Sequence, residues 1–386
     1  MRTHWSALLL VAAAAACSDR TISAPTSSPA ASVLSLDRHE PDDRDIVGGV
    51  FAETNDAADN AVVAFARHGD GSLTYVANYA TNGQGIYGAV DPLQSQFAVT
   101  LTPNHKYLFA VNAGSNSIAA FSVEKNGLTP IGTYASNGTT PVSLAATNQV
   151  LYALNKSSNT VTGFRIEGGR LQAVPRWTRA LTPGASGGAA IRFDPEQRLL
   201  AVTERVSNTI DVFTVREDGR LSDKPVSNPA AGNTPFGFDW TPRRQLVSSE
   251  AGSGSASSYT VSRRGVLTAT AGSPVSTQQA APCWLITTHD GKFAYVANAG
   301  SGSVTGFSIA QNGALTILAP VTGALGAGST PLDLDVSRDS KFLYVLKAGS
   351  NTIGVFRVNQ DGTLAGLADG VGGLPTMSGQ MGVAAF

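Results

Sequence analysis

The chain has 386 residues, of which 14% are charged and 41 are glycine, with a formal net charge of −1. That balance excludes the basic footprint of a nucleic-acid-binding protein. Abundant glycine with few charges points to many turns rather than long solvated helices.

Met1-Arg2 gives a short positive start, Ala7 to Ala16 is an apolar run, and Cys17 follows it directly. Crossing a bilayer takes about 20 apolar residues, so residues 1–17 read as a secretory signal instead of a span. Its end, Ala14-Ala15-Ala16-Cys17, resembles a bacterial lipobox, which implies diacylation of Cys17. The alternative is an ordinary signal-peptidase site. Either way the chain is expected outside the cytoplasm, as a periplasmic or outer-membrane lipoprotein or as a secreted protein. Residues 18–45 are rich in Ser, Ala and Pro and then charged, which predicts a flexible tether.

From residue 46 onward one phrase recurs: a strand with an aromatic residue, a glycine turn, then Leu or Val. The seven aromatics are Phe65, Phe121, Phe164, Phe213, Tyr259, Phe307 and Phe356, spaced 43 to 56 positions apart. Strand-like repeats of that length predict an all-β, seven-bladed β-propeller of four-stranded blades over 46–386. Pairs such as Asp70-Gly71, Asn126-Gly127, Gly168-Gly169 and Asp361-Gly362 read as φ > 0 turns closing tight hairpins. The first repeat lacks an inner strand and the chain ends GQMGVAAF, so the C-terminal strand is expected to close the first blade. Cys283, in an apolar run, reads as a small buried hydrophobe.

Nine residues before each aromatic lies a polar position: Asn112, Asn155, Glu204, Glu250, Asn298 and Lys347, with Glu53 as the first-repeat counterpart. Equivalent positions of a closed propeller circle one mouth of its channel, so these seven are candidate ligand-binding residues. Asn can equally cap a turn by bonding nearby N–H groups. Glu204 and Glu250, on neighbouring blades, are candidate catalytic carboxylates, because adjacent carboxyls raise each other's proton affinity. The competing reading is an ion-pair network with Arg205, Lys347 or Arg192. A second layer, Thr100, Arg192, Asp239, Ile286 and Asp335, falls on inner strands, with Asp333 sharing the face of Asp335. Arg192 and Asp239, on adjacent blades, are expected to pair near the channel.

His105 and His289 fall in turns between first and second strands, at the mouth opposite the polar ring. No His or Cys is placed at the ring, so no metal of the His/Cys type and no cofactor are expected. Neither a phosphate loop, a dinucleotide fingerprint nor a G-x-S-x-G elbow is present.

The segments IRFDPEQRLLAVTERVSNTIDVF, PFGFDWTPRRQLVSSEAGSGS and CWLITTHDGKFAYVANAGSGSVTGF resemble the seven-bladed lactonase-type propellers, a group that includes 6-phosphogluconolactonase-like and carboxymuconate-cyclase-like proteins. YVANAGSGSV is also similar to repeats of secreted YVTN-type propellers. The resemblance implies lactone chemistry at the starts of the inner strands, with Glu204 matching a family glutamate. Ala189 and Ala190 stand where the family's enzymes carry His and Arg. Two functions follow as expectations. One is a propeller that binds a small lactone-like or sugar-like ligand, or a protein partner, without chemistry. The other is a hydrolase or cycloisomerase of a non-phosphorylated lactone or carboxylate substrate. In it Glu204 is the general acid/base, Glu250 a second carboxylate, and Arg205, Arg192 or Lys347 steadies the anion. The missing His favours the first. The chain is expected to be a monomer, touching membrane only through Cys17.

Overall fold

A computed structural model describes residues 45–88, 90–184, 187–376 and 379–386. The signal segment, Cys17 and the tether lie outside the described residues. The described chain is all strand and turn, arranged as seven antiparallel sheets. Six begin at their inner strand: Val99–Leu101 (blade 2), Pro141–Ala146 (blade 3), Gly188–Phe193 (blade 4), Pro235–Trp240 (blade 5), Pro282–Thr287 (blade 6) and Pro331–Val336 (blade 7).

Blade 1 opens instead with Ile46–Glu53, and Met381–Ala385 pairs with it as the fourth strand. The C-terminal segment thus closes the ring and leaves no open edge at the seam. The marker aromatics are all buried and belong to the hydrophobic core clusters. Tyrosines staple one blade to the next: the hydroxyls of Tyr152, Tyr295 and Tyr344 donate to the carbonyls of Gly219, Gly362 and Gly71. The last of these spans the seam between blades 7 and 1. Cys283 is buried in the inner strand of blade 6.

The hairpin turns differ from expectation in one respect. In the hairpin pairs Asp70-Gly71, Asn126-Gly127, Asp218-Gly219, Asn312-Gly313 and Asp361-Gly362 only the glycine has positive φ, as at Gly71 (φ 93°), whereas Gly168 and Gly169 both do. At the first hairpin Gly71 N–H donates to His68 C=O and His68 N–H donates to Ser72 C=O. That is a type I turn closed by a glycine bulge, a longer loop than the two-residue turn that the Asx-Gly dipeptides suggest.

Five inner strands carry a bulge near their start, with one extra residue at Val142, Ala189, Cys283 and Asp333, and a two-residue irregularity at Phe236-Gly237. A bulge takes backbone groups out of the ladder and leaves them needing other partners. Residues 81–98, a connection far longer than the corresponding 136–140 or 230–234, supply those partners. Ser95 Oγ donates to Val142 C=O at 2.8 Å and Gln96 N–H to Ala189 C=O at 3.0 Å. The Gln96 amide bridges both Leu285 backbone groups, and Trp284 Nε1 donates to Ser95 C=O at 2.8 Å. On blade 7, Asp333 Oδ2 accepts from Phe97 N–H. The segment around residues 93–97 is therefore a plug that crosses the channel and bonds to blades 3, 4, 6 and 7. Gly237 is where the plug meets blade 5. A Cβ there would collide with Gln96 Oε1 and lie 2.8 Å from Cys283 O and Leu285 N.

Candidate functional site

The polar positions at the ends of the second strands form two kinds of environment. Six of the seven, Glu53, Asn112, Asn155, Glu204, Glu250 and Asn298, are fully buried. Most find partners within their own blade. Asn112 Nδ2 donates to Ser117 Oγ, Asn155 Nδ2 to Thr162 Oγ1, and Asn298 Nδ2 to Ser303 Oγ and Thr305 Oγ1. Tyr259 OH donates to Glu250 Oε1 at 3.0 Å, Ser207 lies 3.5 Å from Glu204 Oε2, and Lys347 pairs with Asp369 at 2.6 Å. These side chains point at the third strand and its outer neighbours; the Asn amides donate to Ser and Thr hydroxyls and accept no turn N–H, so the turn-capping alternative does not describe them. Asn112 also reaches a neighbouring blade, accepting from Asn60 and Thr81.

Strand alternation explains the placement. A one-residue step turns a side chain to the opposite side. The next residues, Lys156 and Arg205, are the ones that meet the plug: Lys156 Nζ donates to Leu93 C=O and Gln94 Oε1, and Arg205 Nη2 donates to Gln94 Oε1. Buried Asp91 lies close to both cations. The ring mouth is therefore occupied by the chain's own loop.

Glu204 and Glu250 have different immediate neighbours. The carboxyl beside Glu204 is Asp211; burial first, and then Asp211, push Glu204 up to about 9. Burial pushes Glu250 up to about 7, moderated by its hydrogen bond from Tyr259. Glu53 is raised by burial, with Asp333 adding repulsion. Each acid sits in a dry interior that disfavours its charged form.

A cavity of about 480 Å³ opens at the other mouth. Phe97 of the plug contributes to its lining, as do Thr100, Ala145, Arg192, Asp239, Thr287, Asp335 and Ala384 from all seven blades' worth of inner-strand ends and the turns that follow them. His105, His289 and Arg338 stand in the adjoining turns. The second layer read from the sequence, apart from Ile286 and Asp333, is thus the wall of a cup, and the two histidines belong to the mouth that has the cavity. Asp333 does not share the face of Asp335, because a bulge between Leu332 and Leu334 breaks the alternation and turns it onto Phe97 N–H. Sequence reasoning placed those histidines at the mouth opposite the polar ring, and the cavity opens there. What it did not read was the length of the connection between Ala80 and Val99, whose residues bond across the other end of the channel.

Arg192 Nε lies 3.0 Å from Asp239 Oδ1, as the sequence predicts, and its guanidinium carbon sits 4.4 Å from the centre of the Phe97 ring. Asp239 Oδ2 accepts from Thr287 N–H and Oγ1 at 3.0 and 2.8 Å. Asp335 accepts from Val336 N–H at 2.8 Å and Ala385 N–H at 2.9 Å. Burial raises its pKa, while Arg192 and His289 oppose the rise. His105 stacks on Phe386 with ring centres 4.9 Å apart, and burial, Arg338 and His289 lower its pKa.

Seven closed blades around a cavity define a seven-bladed β-propeller. The description "Lactonase, 7-bladed beta-propeller" matches residues 56–180, 169–251 and 246–333. The chain belongs to that lactonase propeller family. No curated protein matches it. Among solved structures it is similar to a candidate 6-phosphogluconolactonase of Bacteroides fragilis, at 17% identity, TM-score 0.70, covering 90% of this chain and 100% of that one. A periplasmic gluconolactonase of Pseudomonas aeruginosa is similar at 16% identity and TM-score 0.66, with 88% and 98% covered. A Lactobacillus plantarum protein gives 19% identity and TM-score 0.68, with 88% and 99% covered. At these identities the likeness is one of fold.

Proposed function

We propose that this chain binds a small polar ligand, lactone-like or sugar-like, in the cup at the His105/His289 mouth. The observation that carries the reading is the plug. By seating Phe97 across the channel it turns an open pore into a blind cavity of about 480 Å³, walled by Arg192, Asp239 and Asp335. A cavity of that size suits a monosaccharide-scale molecule. The reading keeps the chain as an exported protein, carried by the signal of residues 1–17 and anchored through Cys17. Thermal-shift measurements with aldonolactones, sugar acids and neutral sugars test it. Stabilisation by at least one class, lost in a Thr100→Trp variant that fills the cup, is the expected result. No shift with any of them would overturn it.

A second reading, lactone ring opening, is favoured by family membership and by one feature of Glu204. Burial and the neighbouring Asp211 hold this acid protonated near neutrality, the state a general acid needs. A lactone screen with the wild type and a Glu204→Gln variant tests it. Turnover present in the wild type and lost in the variant supports it, and turnover that survives the substitution refutes the role of Glu204.

A further inference from the structure

The cup's acceptors are already used, while its donors are not. Asp194, on the wall, accepts from Arg198 N–H and Leu199 N–H at 2.7 Å and from Arg244 Nε at 3.2 Å. Both oxygens of Asp239 are engaged, by Arg192 Nε and by Thr287, and both of Asp335 by backbone N–H groups. Every oxygen of Asp239 and Asp335 thus already accepts at least one bond, which leaves these carboxylates fewer free lone pairs for a ligand.

The cations are in the opposite condition. Arg192 is held through Nε alone, its plane fixed by Asp239 on one side and the Phe97 ring beneath. Among the described residues its two terminal nitrogens have no protein acceptor, and the side chain is 33% exposed, into the cup. Arg338 stands exposed at the rim with no ion pair among the described residues, and His289 is beside it in an adjacent turn. A guanidinium clamped by a carboxylate that is itself tied to Thr287 presents a rigid, planar pair of donors, and that fork matches the two oxygens of a ligand carboxylate.

We infer that the cup is a monocarboxylate receptor: the free fork of Arg192 takes the ligand's carboxylate in bidentate fashion, Arg338 adds long-range attraction at the rim, and Asp239 is a positioning residue for Arg192. This rests on reading the cup as a ligand site, and it goes further in naming the charge, the number of anionic groups and the anchoring residue. A single free fork serves one planar anion. The engaged acids around it repel a second one.

Calorimetric titration at pH 7 and low salt tests this with D-gluconate, its neutral counterpart D-glucitol, and inorganic phosphate. Gluconate is expected to bind at least about tenfold tighter than either of the others. Arg192→Lys keeps the charge and the partner of Asp239 but removes the fork, and it should lose about tenfold for gluconate with little change for glucitol. Arg338→Gln, at the exposed rim, leaves the core intact and should weaken gluconate binding only modestly, with a reduced salt dependence. If glucitol binds as well as gluconate, the ligand class assigned here is wrong while the cup remains a site. If phosphate binds as well as gluconate, the planar-fork argument fails. If none binds, this inference falls, and the thermal-shift screen with aldonolactones decides the reading beneath it. Unchanged gluconate affinity in Arg192→Lys removes Arg192 as the anchor.

Discussion

Oδ2 of Asp333, on the inner strand of blade 7, accepts a hydrogen bond from Phe97 N–H at 3.2 Å, 236 positions away in sequence. The same oxygen accepts from Val383 N–H in the closing strand at 3.1 Å. One buried carboxyl thus pins both the plug and the seam. Its residue is the extra one of a bulge and has φ 33°, which aims the side chain out of the ladder. Asp333→Ala should destabilise the protein by about 2–5 kcal/mol, because three buried N–H groups, of Phe97, Val383 and Leu334, lose this acceptor. Asp333→Asn, which keeps one acceptor oxygen, should cost less. Urea unfolding of both variants checks the order, and equal stability of Asp333→Ala and wild type would contradict the pin.

Stability should fall as pH rises. Burial pushes Asp333 and Glu250 up to about 7, and Glu204 up to about 9. A carboxyl whose folded pKa exceeds its unfolded value binds a proton on folding. Its contribution is complete below about 4 and is lost as pH climbs through the folded value, at up to about 1.4 kcal/mol per pH unit for each proton. The urea midpoint is therefore expected to drop between pH 5 and pH 9. Glu204→Gln should flatten the upper part of that decline. A midpoint that rises over this range would refute the assignment.

The plug can be loosened without touching the cup wall. Gln96 is the side chain that bonds both backbone groups of Leu285. Gln96→Leu removes both partners and should cost about 2–5 kcal/mol. Hydrogen exchange should then speed up at Leu285 and Ala98 before it does so in the outer strands. Unaltered exchange there would show that the plug is held by other contacts.

Closure depends on the last strand and on Tyr344. Ending the chain before Gly379 removes Met381–Ala385, the inner strand of blade 1, and should abolish cooperative melting of the ring. Tyr344→Phe deletes only the bond to Gly71 C=O across the seam and should cost about 1 kcal/mol. A truncated chain that melts like the full one would mean that the ring is held elsewhere.

Much of this architecture is written locally. An aromatic at Phe121 or Phe307, a turn glycine and a following Leu report one blade each, because the period-2 strand and the left-handed glycine are short-range requirements. The pairing of Arg192 with Asp239 was legible for the same reason: equivalent positions on consecutive repeats must be neighbours. The face of a side chain was harder to read. Glu204 and Arg205 differ by one position, yet one enters its blade and the other meets the plug.

By itself the sequence determined the number of blades, the strand that closes them, and which positions stand in a circle, since repetition fixes all three. Tertiary structure alone decided which mouth is open. That choice depends on residues 81–98 crossing the channel to satisfy backbone groups that bulges on distant strands had left unpaired. No local pattern encodes such a match, because its donors and acceptors come together only once the circle has formed.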